Sequence, residues 1–171
     1  MRFTPLFLRT SCWLLVIFVF LNACVGEECE TVSDPVMRVS FARFIDAERT
    51  EEQAVTVAFK HIYGIGANPQ PPRKDDSLVR SKAAIAGLRI PLSQVNDMST
   101  FVFVRDSLAN DTIFFTYTRK PYFRSQACGF EMEFENLRVI KHSRQNIDTV
   151  LVTQPSVNAQ NNNANVKIYF D

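Results

Sequence analysis

Few side chains in this sequence stand at spacings that bear on chemistry: four cysteines, three alternating glutamates and two histidines. Cys12 and Cys24 sit within and just after an apolar N-terminal run, Cys29 follows five residues later, and Cys128 lies about a hundred residues further on. Cys29 and Cys128 are either a disulfide pair, two free thiols or part of a metal site. Only His61 and His142 are available to complete a zinc set, and no CxxC spacing occurs, which makes a poor tetrahedral site. Glu131, Glu133 and Glu135 alternate with Phe130, Met132 and Phe134. On a strand such carboxylates project from one face about 7 Å apart. Glycoside hydrolysis needs two carboxylates at about that separation, so the spacing permits it. The plainer reading is a strand face in water.

The remaining catalytic patterns are missing. No GxSxG, HExxH or phosphate-cradling glycine loop is present, and no ordered Asp/Asn cluster suits calcium. Neither histidine stands in a motif. No cofactor and no metal is expected.

The N-terminus is more specific. Arg2 and Arg9 precede the apolar run Ser11 to Leu21, which is shorter than the ~20 residues a membrane-spanning helix takes. A positive start, a short apolar run and a small residue make a secretory signal peptide. The segment Leu21-Asn22-Ala23-Cys24 resembles a bacterial lipobox. That resemblance implies cleavage before Cys24, a thioether-linked diacylglycerol on its sulphur and acylation of the new amine. Two or more acyl chains suffice for stable anchoring. The expected organisation is a signal peptide over 1–23, a lipidated N-terminus and tether over 24–35, and a domain over 36–171.

Removing residues 1–23 leaves 148 residues with 17 basic and 18 acidic side chains, a net charge of −1. One domain fits that length. A near-neutral mixed surface offers no electrostatic basis for holding nucleic acid. In an exported, oxidising setting the Cys29–Cys128 bridge becomes favoured. Closing a loop of that size would stabilise by about 4.7 kcal/mol in the chain-entropy model.

Period-two alternation recurs along the processed chain. Met37, Val39 and Phe41 alternate with Arg38 and Ser40; Thr56 to Ile65 is β-branched and aromatic; Leu88 to Leu92 predicts an edge strand because Pro91 lacks a donor. Thr100 to Arg105 is apolar on both faces. A six-residue turn, Asp106 to Asp111, joins it in a hairpin to Thr112 to Arg119. After Asn136 the phase of the 130–135 strand inverts, with Leu137 and Val139 now apolar, which predicts a β-bulge near Asn136. Ile147 to Val152 and Val166 to Phe170 complete about eight strands. The Pro-rich segment 67–77 and the Asn-rich segment 158–165 read as loops. Many short strands without an amphipathic helix predict an all-β, antiparallel β-sandwich, immunoglobulin-like or related.

Together Cys24, Cys29, Arg38-Val39-Ser40-Phe41, Ile90-Pro91-Leu92, Asp111 to Tyr117, Ala127-Cys128-Gly129-Phe130 and Val166 to Phe170 resemble an uncharacterised family of Bacteroidetes lipoproteins across nearly the whole processed chain. The resemblance carries no activity with it. It implies a lipid anchor at Cys24, an outer-membrane place on the periplasmic or cell-surface side, and a Cys29–Cys128 pair. The four Asp-Ser/Thr-aliphatic triplets resemble the O-glycosylation acceptor pattern of exported proteins of that group. Ser77 and Ser107, in predicted loops, are the better acceptors; Thr112 and Thr149 begin strands.

The expected contact site is Lys120, Tyr122, Phe123 and Arg124, a basic aromatic stretch just before Cys128. Its plain alternative is an edge strand whose charges discourage edge pairing. The functional expectation is a non-enzymatic, lipid-anchored envelope module that binds a protein or a glycan or serves a structural role. The alternatives are an accessory subunit of an outer-membrane uptake or assembly complex, or a carboxylate-dependent envelope hydrolase.

Overall fold

Alternation of apolar and polar residues suits a strand with one buried face, and the first such run forms the axis of this domain. In the computed structural model, which describes residues 35–65, 77–79, 83–106 and 109–171, strand β1 (Val36–Phe44) buries Met37, Val39 and Phe41 and turns Arg38 and Ser40 outward. Eleven further strands follow. They are β2 (Glu52–Ala54), β3 (Val57–Ala58), β4 (His61–Ile65), β5 (Ser77–Val79), β6 (Ala84–Ile85), β7 (Gly87–Pro91), β8 (Met98–Val104), β9 (Asp111–Ser125), β10 (Gly129–His142), β11 (Ile147–Val152) and β12 (Val166–Phe170). The expectation of about eight strands is thus too low. The extra elements are two- and three-residue strands, too short to alternate visibly.

Two five-stranded sheets carry the fold. One runs β11-β12-β1-β2, with β7 on the same edge of β1 as β2; the other runs β10-β9-β8-β4-β5. Strands β3 and β6 form a small separate ladder. The expected strand over 56–65 is split, because Phe59 turns into the core between β3 and β4. There its ring meets Phe41 at 5.5 Å, Phe170 at 6.0 Å and Phe103 at 5.7 Å, and so joins the facing sheets. This is the sandwich-like, all-β arrangement the alternation predicts. Its pairing is not wholly antiparallel: β1 and β12 run parallel from Val39↔Val166 to Ala42↔Tyr169. β7 pairs only with β1 among the described strands, and Pro91 sits at that edge. Gly87 is required there, since a Cβ would lie 2.3 Å from the Val39 carbonyl oxygen.

The bulge predicted near Asn136 is present. Glu135 pairs with Thr118 and Arg138 with Thr116, so Asn136 and Leu137 together oppose Tyr117. Asn136 takes φ 55°, which Asn tolerates better than most side chains. The inversion lets both Phe134 and Leu137 enter the core, each 1% exposed.

Buried polar groups fasten the strand ends. Asp111 is 2% exposed. Its Oδ1 accepts hydrogen bonds from Ser143 Oγ (2.7 Å) and Gln145 N (2.9 Å), and its Oδ2 from Asn146 N and Nδ2 (both 2.9 Å). One carboxylate therefore closes the β10–β11 turn onto the start of β9. Asn165, 1% exposed, does the same for the Asn-rich loop. Its Oδ1 accepts from Arg38 N at 3.0 Å, and its Nδ2 donates to Ser156 O at 2.8 Å and Gln154 O at 3.3 Å. Tyr169 stacks on Phe44 at 4.2 Å and donates to Glu52, which also holds Lys167.

Residues 1–34, Ser107 and segment 66–76 lie outside the described residues, and with them the expected signal peptide over 1–23, Cys24 and Cys29. Ser77 corrects its predicted loop position: it opens β5 opposite Tyr63, because the ladder to β4 resumes there. His142 ends β10, opposite Ile113.

Two outcomes follow for stability. Asp111→Ala leaves four donors without an acceptor and should cost about 3 kcal/mol, read as a lower urea midpoint at unchanged slope. Burial pushes the Tyr169 hydroxyl up to about 12, with Glu52 adding to the shift. Above pH 10 the unfolded chain gives up this proton while the folded chain keeps it, so stability should fall as pH rises from 10 to 12. Tyr169→Phe should flatten that fall in urea midpoints. Tyr117, also raised by burial, leaves a residual slope of the same sign.

Candidate functional site

Strands β9 and β10 outrun their sheet. β8 pairs with β9 only from Asp111 to Thr116, whereas β10 follows β9 out to Ser125. The stretch from Thr118 to Glu135 is therefore a two-stranded arm. Its base is fixed by core and loop contacts. The Tyr117 ring meets Phe134 at 5.1 Å, and its hydroxyl accepts from Ser93 N (2.8 Å) and shares a hydrogen bond with Ser99 Oγ (2.7 Å). Arg119 Nε donates to Asp97 Oδ1 at 2.6 Å. On the outer edge, Phe134 exchanges two backbone hydrogen bonds with Val157.

Register gives the arm two unlike faces. Phe130 opposes Phe123 and Met132 opposes Pro121 on the face continuous with the core. Along it burial fades: Phe134 is 1% exposed, Met132 half-buried, Phe130 73% exposed. Phe130 and Phe123, the latter also exposed, meet edge to face at 5.3 Å. The opposite face carries Glu131 opposite Tyr122, Glu133 opposite Lys120 and Glu135 opposite Thr118. Arg124 Nη1 donates to Glu131 Oε1 at 2.6 Å, and Lys120 Nζ to Glu135 Oε1 at 2.7 Å. The Glu135 hydrogen bond raises the Lys120 ammonium above its ordinary value. A register shift between Gly129 and Phe130 leaves Arg124 as the extra residue that swings to meet Glu131. Tyr122, Arg124, Glu131 and Glu133 line a groove of about 170 Å³, whose far wall is Pro35, Ala159 and Gln160.

All four residues of the predicted contact stretch thus stand on this arm, but on both faces of it: Phe123 on the apolar side, Lys120, Tyr122 and Arg124 on the polar side. They lie in no connecting loop: β10 covers one side of β9, and beyond Thr116, where β8 stops, the other side is a sheet edge among the described residues. The three glutamates are half-buried rather than free in water. Phe130 is the member sequence reasoning missed. Its place in an apolar alternation made it look like core, and only the length of the hairpin beyond β8 shows that no described strand covers it. Of the four tyrosines, Tyr117 and Tyr169 are buried, Tyr63 is half-buried and Tyr122 is exposed.

A turn over Ser125 to Cys128 closes the arm, with Cys128 N donating to Ser125 Oγ at 3.1 Å. Cys128 is not a free thiol. A wider open groove of about 670 Å³ lies at the other end of β1, but its charges serve the local structure. Arg49 pairs with Asp148 at 2.8 Å, and Asp46 accepts from Thr50 and Glu51, contacts that hold its carboxyl below the usual range. Among the described residues no group of three or more His, Cys, Asp or Glu side chains is placed to hold a metal.

No curated protein and no solved structure matches the chain. The family of unknown function DUF6452 matches residues 61–170, from β4 through the whole arm to the end of β12. With more than half of its length matched, the protein belongs to this uncharacterised family.

Proposed function

We propose that this protein is a lipid-anchored module of the bacterial cell envelope that binds through the β9–β10 arm and performs no catalysis. The observation that carries the reading is the arm itself. Phe134 and Met132 still pack on the core, but the outer part of the hairpin projects beyond the sheet with Phe123 and Phe130 exposed and adds nothing to that core; exposed apolar surface rimmed by polar groups marks contact sites. The polar face offers Tyr122 and the groove beside it to an envelope protein or a glycan. Hydrolysis fits less well, because Glu131 and Glu135 each commit an oxygen to a cation and the three glutamates stand in a row on one strand.

The anchor is the acylated Cys24 of the lipobox-like segment, on the outer membrane. Cys128 pairs with Cys29 in this reading, which ties the tip of the arm to the tether five residues from the lipid. The glycan reading keeps Ser107 as acceptor, in the β8–β9 connection; Ser77, within a strand, suits it less.

Two measurements test this. Growth with a radioactive fatty acid should label the parent and leave a Cys24→Ser variant unlabelled; equal label in both overturns the anchor. Mild crosslinking in native membranes should trap one stoichiometric species with the parent and lose it with a Tyr122→Ala, Arg124→Ala double variant. The same yield from both removes the polar face as the contact.

A further inference from the structure

We infer that the apolar face of the arm tip, Phe123 and Phe130, lies in the interface of the bilayer that holds Cys24, so that the protein meets its membrane at two points. This rests on the anchor reading above and adds a second, protein-borne contact to it.

Three observations converge on a lipid surface as the occupant. The first is the pair itself. Phe123 and Phe130 are 55% and 73% exposed, touch each other, and end a stripe that is otherwise core. Aromatic side chains without charged neighbours on their own face suit the boundary between headgroups and acyl chains. On that face the next cross-strand pair is Met132 and Pro121, so no ionic group is dragged in with the rings. Arg119 also stands on this face, but at the base, opposite Phe134 and bound to Asp97; the other charges of the arm are on the opposite face, where Arg124 and Lys120 are paired with Glu131 and Glu135.

The second is where the chain leaves the domain. Pro35, the first described residue, is buried and walls the groove beside Tyr122 and Met132. Pro35 is eleven positions on from Cys24, a reach of at most about 40 Å when extended. The tether therefore starts on the arm, not at the opposite end of the sandwich.

The third is Cys128, which lies in the turn five residues after Phe123 and two before Phe130. It is not a free thiol. A bridge to Cys29 leaves five residues to the acylated position, about 17 Å when extended. With about 6 Å more across the bridge itself, the tip stands within about 23 Å of the acylated residue, which brings its exposed rings to the bilayer. A protein partner on the same rings would have to fit between the tip and the membrane that tethers it.

The sequence supplies its own probe. Trp13 is the only tryptophan and lies in the segment removed on processing, so a single introduced tryptophan reports alone. Acylated full-length protein carrying Phe130→Trp is reconstituted into phosphatidylethanolamine/phosphatidylglycerol vesicles, with and without brominated acyl chains. Ile45→Trp is the control. Ile45 is also exposed, and it follows the far end of β1, about 30 Å from Pro35 at strand rise. Expected are a blue-shifted emission and loss of intensity with brominated lipid for Phe130→Trp, with neither for Ile45→Trp. Fatty-acid label is counted on the same samples. Label without quenching at position 130 overturns the inference and leaves the anchor standing. Absence of label overturns both. Quenching at both positions overturns it too, since the whole body then lies on the lipid. A blue shift that appears only when a membrane protein is crosslinked to the tip, and not in pure lipid, gives the rings to that protein instead.

Discussion

A strand has one facing, and the join between sandwich and arm depends on one place in β10 that breaks the rule. Along β10 the inward positions run Phe130, Met132, Phe134, and without an inserted residue Asn136 would be the next to enter the core. Asn136 in the left-handed region removes that conflict, and Leu137 takes the buried place. The same strand can then serve the sandwich with one phase and the arm with the other. Were the register unbroken, every side chain on one side of Asn136 would be turned to the wrong face. Either Leu137 would leave the core or the glutamates would enter it. Ionised side chains are costly to bury without partners, so the inserted residue is the cheaper solution.

Much of this was legible because it is local. Period two in 37–41, 112–117 and 130–135 names both strand and face, and the phase change at Asn136 names the bulge. What escaped is long-range. Nothing in Val39 or Val166 announces a parallel ladder between the two ends of the domain. β2, β3 and β6 are strands only because a neighbour pairs with them. Asp111 and Asn165 looked like turn residues, since their types favour turns. Their partners stand far off in sequence, Asp111 bonding residues 143–146 and Asn165 bonding Arg38. A polar residue at a strand end reads the same whether it caps its own turn or clasps another. The Asn-rich segment shows this again: as composition it is a loop, yet Asn161 O and Asn162 Oδ1 accept from the Arg38 guanidinium and hold the loop against β1.

The candidate site was legible in part. The basic aromatic stretch stood out by composition, but its division into two faces required the register, and the exposure of Phe130 required the length of β10 relative to β8. Sequence gives the pattern of a face; it does not say where the opposing layer ends.

The arm also poses an energetic question. A two-stranded hairpin alone is at best marginally stable in water. Here each cross-strand pair, Phe123 with Phe130, Arg124 with Glu131, Lys120 with Glu135, contributes on the order of 0.2–1 kcal/mol, against backbone ordering of about 1 kcal/mol or more for each residue held. The ladder at Phe134–Val157 and the wall formed by Pro35 and Ala159 support only the base and middle. The last turn is held by its own short hydrogen bonds and by the bond that leaves Cys128 no free thiol. A covalent tie at Cys128 would limit how far the strands can fray, and it would act where the non-covalent contacts run out. Placing the cysteine at the tip rather than the base is what a hairpin needs if its end must stay formed while its side chains remain exposed, and it makes the ordering of the tip depend on the oxidation state of one bond.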